Sequence, residues 1–264
     1  MIHKLRKVTR YWSARMRPQS CPPLFWHVGV PNFGDDINAS LFEALYGMRM
    51  RFAADRSRPH FMGMGSILKS ATESSVVLGT GLLTPLPLKK PLDVVSVRGE
   101  LSRRQLGLVQ DIPLGDPMVL VNMLMAPERG GETGYVPHVS MIRRLRGRLP
   151  PGIRLIDVRR PPWEVVREIG RCRLVLSQSL HGLIVADAFE IPNIWVAPNR
   201  EMVGGDFKFQ DYFSTLDAPK ESHAPSPDLF GNPPRDAASV GRFKGNKAEY
   251  RALLGAALER GLPA

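Results

Sequence analysis

Two cysteines in 264 residues, Cys21 and Cys172, are too few for a disulfide framework or a CxxC metal site. Cys172 precedes an apolar run and reads as an inert core thiol. No apolar run approaches the roughly 18–20 residues that a membrane-spanning helix needs. The N-terminus has neither the apolar stretch nor the small-residue cleavage site of a signal peptide, so a cytoplasmic chain is expected. Also missing are a Walker phosphate loop, an HExxH pair and carboxylates at metal-ligand spacing. The expectation is chemistry that needs no metal or organic cofactor, a divalent ion at most assisting with phosphate. With no RNA-recognition sheet motif, helix-turn-helix signature or zinc-finger spacing, nucleic acid is not expected as a partner. No internal repeat is visible.

Acid is scarce as well: 25 Asp and Glu stand against 36 Lys and Arg, a net charge of +11. Such a chain suits anionic membrane surfaces or phosphorylated small molecules. The first 17 residues hold Lys4, Arg6, Lys7, Arg10, Arg15 and Arg17 and no acid, while Ile2, Leu5, Val8, Trp12 and Met16 recur at helical spacing. These 17 residues, within an N-terminal segment 1–22, therefore read as a basic amphipathic helix that either lies on an anionic bilayer or packs on its own domain.

What is present is alternation. The runs 23–30, 60–68, 74–83, 92–99 and 108–120 read as strands with following turns, and 37–47 and 100–107 as helices ending on Gly47 and Gly107. After the polar stretch 126–134, strands resume at 135–142, 153–158, 172–179 and 191–198, with helices at 163–169 and 181–190. Alternation of this kind means βαβ units and parallel sheets. The expected fold is α/β, with two Rossmann-like domains facing each other. The expected boundaries are 23–125 (N-terminal domain), 126–134 (linker), 135–218 (C-terminal domain) and 219–264 (an irregular segment and a C-terminal helix, 246–260).

In open α/β sheets the ligand sits beyond the carboxyl ends of the strands. The polar residues there are Asn32, Asp35 and Asp36; Gly63 and Gly65; Arg98; Asp116; His138; and Ser177, Ser179 and His181. His181 stands at a strand-to-helix turn, where free backbone N–H groups and the helix dipole favour an anion. Gly182 leaves the backbone open to a ligand. Each has a structural reading too: a serine N-cap before His181, a first-turn acid in Asp35, a turn former in Asp116 and a core histidine in His138.

The motifs NFGDDIN (32–38), GMGSIL (63–68), LGTGL (78–82), VVSVRGELSRRQL (94–106), LGDPMVL (114–120), VPHVS (136–140), SLHGLIVADAFEIPNIWV (179–196) and KFQDYFSTL (208–216) follow in order. In that order they resemble the polysaccharide pyruvyl transferases, and most closely those acting on xanthan- and succinoglycan-type polymers. The resemblance runs from about Phe25 to about Leu216. It implies a glycosyltransferase-B-like fold and pyruvyl transfer from phosphoenolpyruvate to a sugar of an exopolysaccharide repeat unit, lipid-linked and handled at the inner face of the cytoplasmic membrane. The product is a pyruvate ketal plus phosphate. It further implies His181, with Asp35 or Asp36, as catalytic residues. Arg98, Ser177, Ser179, Leu180, Gly182, Arg103 and Lys208 would hold the donor; Asn32, Gly65, Asp116 and His138 would hold the acceptor. Several relatives carry arginine where this chain has Ser179, so another cation must supply that charge, from Arg103, Arg104, Arg200 or Lys208.

Two other readings fit the residues. One is a nucleotide-sugar-dependent glycosyltransferase of the same fold. The other is a non-catalytic basic module binding a membrane or nucleic acid.

Overall fold

The computed structural model of the protein describes residues 16–88, 93–108, 111–200 and 202–263. The basic segment 1–22 lies outside the described residues up to residue 15. Five short strands form the first sheet: β1 (Pro23–Phe25), β2 (Arg51–Phe52), β3 (His60–Met62), β4 (Ser75–Leu78) and β5 (Asp93–Ser96). Five more form the second: β6 (Glu132–Val136), β7 (Ile153–Leu155), β8 (Cys172–Ser177), β9 (Asn193–Val196) and β10 (Ser222–His223). All neighbouring strands pair in parallel. The central strands β3, β4 and β9 are buried along their whole length, because parallel sheets are covered on both faces.

The sheets run β2-β1-β3-β4-β5 and β10-β9-β8-β6-β7. Counted within each half, the order is the same, 2-1-3-4-5, although no repeat is visible in the sequence. The expected α/β class and paired parallel sheets are thus present. So are the expected helix ends: Asn38–Tyr46 stops at Gly47, whose φ of 67° is the left-handed C-cap conformation.

Several expected boundaries move. The described residues 111–120 do not add a strand to the sheet. Leu114 makes an isolated bridge to Val97, and Pro117–Met123 forms a 3-10 helix that Asp116 caps by accepting from the Met118 N–H. Proline, with no N–H and a fixed φ, starts a helix better than it joins a sheet. The stretch 126–134 is not all linker, since β6 begins at Glu132. In the C-terminal part 219–264 the expected helix is present, as Lys247–Arg260. β10 extends the second sheet, and the helix Lys247–Arg260 returns to the first half. There the Tyr250 hydroxyl donates to the Gly115 carbonyl at 2.6 Å and accepts from the Ser96 hydroxyl at 3.1 Å, while Arg251 donates to the Leu45 carbonyl.

The halves share one core. Phe33, Val119 and Leu120 belong to the same buried cluster as Val136, Val165 and Leu183. All nine residues of the helix Leu180–Ala188 are buried, and it packs against Pro117–Met123 of the other half. A helix that is apolar apart from His181 and Asp187 belongs in such a position. Polar links reinforce the seam: the Phe33 N–H donates to the Val158 carbonyl at 2.8 Å, and the Trp163 indole N–H to the Ser40 hydroxyl at 3.0 Å.

Tyr250→Phe tests the returning helix. It deprives the buried Gly115 carbonyl and Ser96 hydroxyl of a partner, so urea unfolding should show a loss of about 1–3 kcal/mol.

Candidate active site

A 2-1-3-4-5 sheet has its switch point between strands 1 and 3, where the following turns splay apart and leave a crevice. In the first sheet those turns follow β1 and β3; in the second they follow β6 and β8. All four turns reach one cleft of about 380 Å³. His27, Asn32 and Asp35 enter after β1, Ser66 after β3, His138 after β6, and Ser179, Leu180 and His181 after β8; Lys208 completes the wall.

The first half brings the carboxylate. Asn32 precedes the short helix Phe33–Asp36, its backbone N–H donates to Asp36 Oδ2, and its side-chain amide donates to Asp35 Oδ2, each at 3.0 Å. Asp35 Oδ1 faces Gly65, whose φ of 102° suits glycine and where a Cβ would stand 3.5 Å from that oxygen. Asp35 is therefore held, half-buried, on the wall. Asp36 is turned back onto the Asn32 N–H and does not line the cleft.

The second half brings a helix start. Ser179 is the N-cap of Leu180–Ala188 with extended backbone, and its side chain makes no capping bond. The first amides of the helix thus keep free hydrogen-bonding capacity at the cleft, where an anion is favoured. Ser177 braces this turn from below: its hydroxyl donates to the Ser179 carbonyl at 2.8 Å and accepts from the Ser179 N–H at 3.1 Å. Ser177 is fully buried, so the expected donor contact is replaced by this internal brace. Gly182 also serves packing: a Cβ there would lie 2.4 Å from Ser177 Oγ and 2.9 Å from Val136 Cγ1. His181 sits edge-on to Phe33, with ring centroids 6.3 Å apart, and its Nδ1 edge lies over Gly34, where a Cβ would come within 2 Å.

Among the expected cations, Lys208 is the one lysine or arginine lining the cleft among the described residues. Burial, then the nearby Arg98, pulls its ammonium down to about 8, against the pull of Asp35. Burial, then Lys208, pushes His138 down to about 4, so its ring is neutral at pH 7. His138 Nδ1 meets the Ser140 hydroxyl at 2.9 Å. Arg103 and Arg104 are engaged by Glu100 on their own helix, away from the cleft. Arg200 is exposed and does not line it either.

Arg98 lies one layer behind the wall. It is fully buried; its Nε donates to Asp211 at 2.9 Å, Nη1 to the Ser66 hydroxyl at 2.8 Å, and Nη2 to the Leu82 carbonyl. Asp211 also accepts from the Ser102 N–H and hydroxyl, at 2.8 and 2.6 Å. This structure thus seats Arg98 as a tie between the halves rather than on the cleft surface. Asp116, expected on the acceptor side, is fully buried behind His181, its Oδ2 3.6 Å from His181 Nε2. Gly65 shapes the wall through its backbone. Sequence reading missed His27, Ser66 and Asp211; Asp211 carried a signal, an acid amid Phe209, Tyr212 and Phe213. No helix of the described residues is long and apolar enough to cross a membrane.

Residues 88–200 match the family model of the polysaccharide pyruvyl transferases. Over 213 residues it is 32% identical to the succinoglycan biosynthesis protein ExoV of Rhizobium meliloti, covering 74% of this chain and 64% of that protein. The chain thus spans less than two thirds of that relative's length. It is 28% identical over 210 residues to an uncharacterized protein of Acanthamoeba polyphaga mimivirus, covering 73% of each. A solved structure of an uncharacterized Klebsiella pneumoniae protein aligns with TM-score 0.45 at 10% identity, over 86% of this chain and 99% of that one.

Removing either partner of the Arg98–Asp211 pair leaves a buried charge alone. Arg98→Met and Asp211→Leu should each cost about 3–5 kcal/mol in chemical denaturation, and the double variant less than their sum. Additive losses would show that the two side chains act independently.

Proposed function

We propose that the protein transfers a pyruvyl group from phosphoenolpyruvate to a sugar of an exopolysaccharide repeat unit, between two facing domains of glycosyltransferase-B-like arrangement. The observation that carries this reading is the pairing across one cleft of a free helix N-terminus, Lys208 and His181 with the carboxylate of Asp35. The domain match and the likeness to a succinoglycan biosynthesis protein support the same reading.

The chemistry needs three operations. A proton must reach the methylene carbon of the donor, making it a methyl group. A sugar hydroxyl must add to the neighbouring carbon and give up its proton. A second hydroxyl must then displace phosphate from that carbon, closing the ketal, with its proton leaving on phosphate. His181 is suited to supply the first proton, and Asp35 to take the one from the attacking hydroxyl. The amides of Leu180 and His181 and the Lys208 ammonium would hold the donor's anionic groups. Charge-assisted bonds of this kind contribute about 1.5–3 kcal/mol each, against roughly 0.3–1 kcal/mol for the helix dipole alone, so Lys208 would take the larger share. Asn32 and His138, a neutral ring, suit the uncharged acceptor side. We place segment 1–22 against an anionic bilayer, where a lipid-linked acceptor would be held.

Thermal shift measurements separate the alternatives. Phosphoenolpyruvate should raise the Tm and UDP- or GDP-sugars should not; the reverse pattern would make the protein a glycosyltransferase. His181→Ala should lower turnover by about 100-fold to 10,000-fold in a protein that circular dichroism shows to be still folded. The Lys208 charge, present at neutral pH, is lost as pH rises through about 8, so donor affinity should fall between about pH 7.5 and 9.5. Lys208→Arg should remove that decline.

A further inference from the structure

Two polar atoms behind the cleft have no protein hydrogen-bond partner, and they face each other. Asp116 Oδ2 and His181 Nε2 are both buried and lie 3.6 Å apart. They come from different halves of the molecule. Asp116 stands on the turn before Pro117–Met123, and His181 on the first turn of the helix packed against it.

The turn bearing Asp116 is pinned on all sides. The Gly115 N–H donates to the Val97 carbonyl at 2.9 Å, and the Gly115 carbonyl accepts from the Tyr250 hydroxyl. A Cβ at Gly79 would strike Pro117 and the Gly115 carbonyl, so β4 holds the turn from beneath. One carboxylate oxygen is committed, since Oδ1 accepts from the Met118 N–H at 3.0 Å. The other is aimed at the imidazole. Orphaned buried polar groups are costly, and catalytic hydrogen bonds in ligand-free proteins are often long and tighten in the complex.

We propose that Asp116 is the positioning carboxylate of His181. It accepts the Nε2–H, so that Nδ1, over Gly34, is the atom the ring presents to the cleft. The inference rests on the reading of His181 as the proton-transfer residue. It supplies what that role requires: one defined tautomer, and a counter-charge that remains beside the ring when the ring holds a second proton. Asp116 touches no substrate in this scheme and acts only through His181.

The geometry makes an unusual demand of Asp116→Asn. The Met118 N–H still needs an acceptor, so the new amide keeps its oxygen there and turns its NH₂ toward Nε2. An N–H donor at that place obliges Nε2 to accept, which moves the proton to Nδ1. The experiment is ¹⁵N NMR of the full chain labelled at histidine, at a pH where the imidazoles are neutral, with the His181 signals assigned through His181→Ala. Wild type should show the Nε2–H tautomer and D116N the Nδ1–H tautomer. Turnover of D116N should fall by about 100-fold or more, while the KM for phosphoenolpyruvate changes by less than about threefold. A merely structural Asp116 would lower turnover in step with stability and leave the tautomer alone, and that result overturns the proposal. Should D116N not fold, wild type decides: an Nδ1–H tautomer there overturns it too. A tautomer switch in a protein that makes no product from phosphoenolpyruvate would leave the pairing standing and remove the proposed function instead.

Discussion

The buried ion pair of Arg98 and Asp211 is the constraint on which the rest of the cleft depends. Arg98 leaves the end of β5 in the first half, and Asp211 sits on the helix Phe207–Phe213 that follows β9 of the second sheet. Taking two charges out of water costs several kcal/mol per ion, which their mutual attraction offsets only when their other hydrogen-bonding groups are satisfied. Here they are: Ser66, Leu82 and Ser102 complete the set. The same helix carries Lys208, and the same guanidinium grips Ser66. One interaction thereby locates two parts of the cleft wall, and its positive charge helps hold the Lys208 ammonium down to about 8.

Around this tie the architecture follows from sheet order. Two sheets of equal order turn their switch points toward each other, and every turn beyond β1, β3, β6 and β8 contributes a side chain to the space between them. Opposite electrostatics follow from opposite helix features. The first-half wall shows an acid at the start of its helix, with Asn32 holding the carboxylate in place. The second-half wall shows a helix start that its own serine leaves uncapped. A carboxylate on one wall thereby faces, on the other, a helix start that favours an anion.

Much of this was legible in the chain. Short apolar runs ending in glycine or serine marked the strands, and Gly47 closed its helix as its position suggested. Asp35, His138, Ser179, His181 and Lys208 were singled out from the sequence, and all reach the cleft. Asp116, Arg98 and Ser177 were singled out as well, but for surface contact, and the fold puts all three in the interior. Local pattern cannot tell a strand-end polar group that faces a ligand from one that faces another buried polar group. The strand expected across 108–120 failed for a related reason. Its apolar residues Met118–Val121 do belong in the core, but Pro117 starts a 3-10 helix there instead of a ladder.

Sequence alone determined the α/β class, the alternation that demands parallel sheets, the excess of positive charge and the residues at each strand end, because these depend on periodicity and composition within a few residues. Tertiary structure decided which of those residues meet. The return of Lys247–Arg260 to the first half, the pairing of Arg98 with Asp211 and the meeting of Asp116 with His181 join residues 65 to 206 positions apart, counting Arg251 to Leu45 as the longest. Contacts across such separations are fixed by shape and by the need of every buried charge for a partner, and neither is written in any short stretch of the chain.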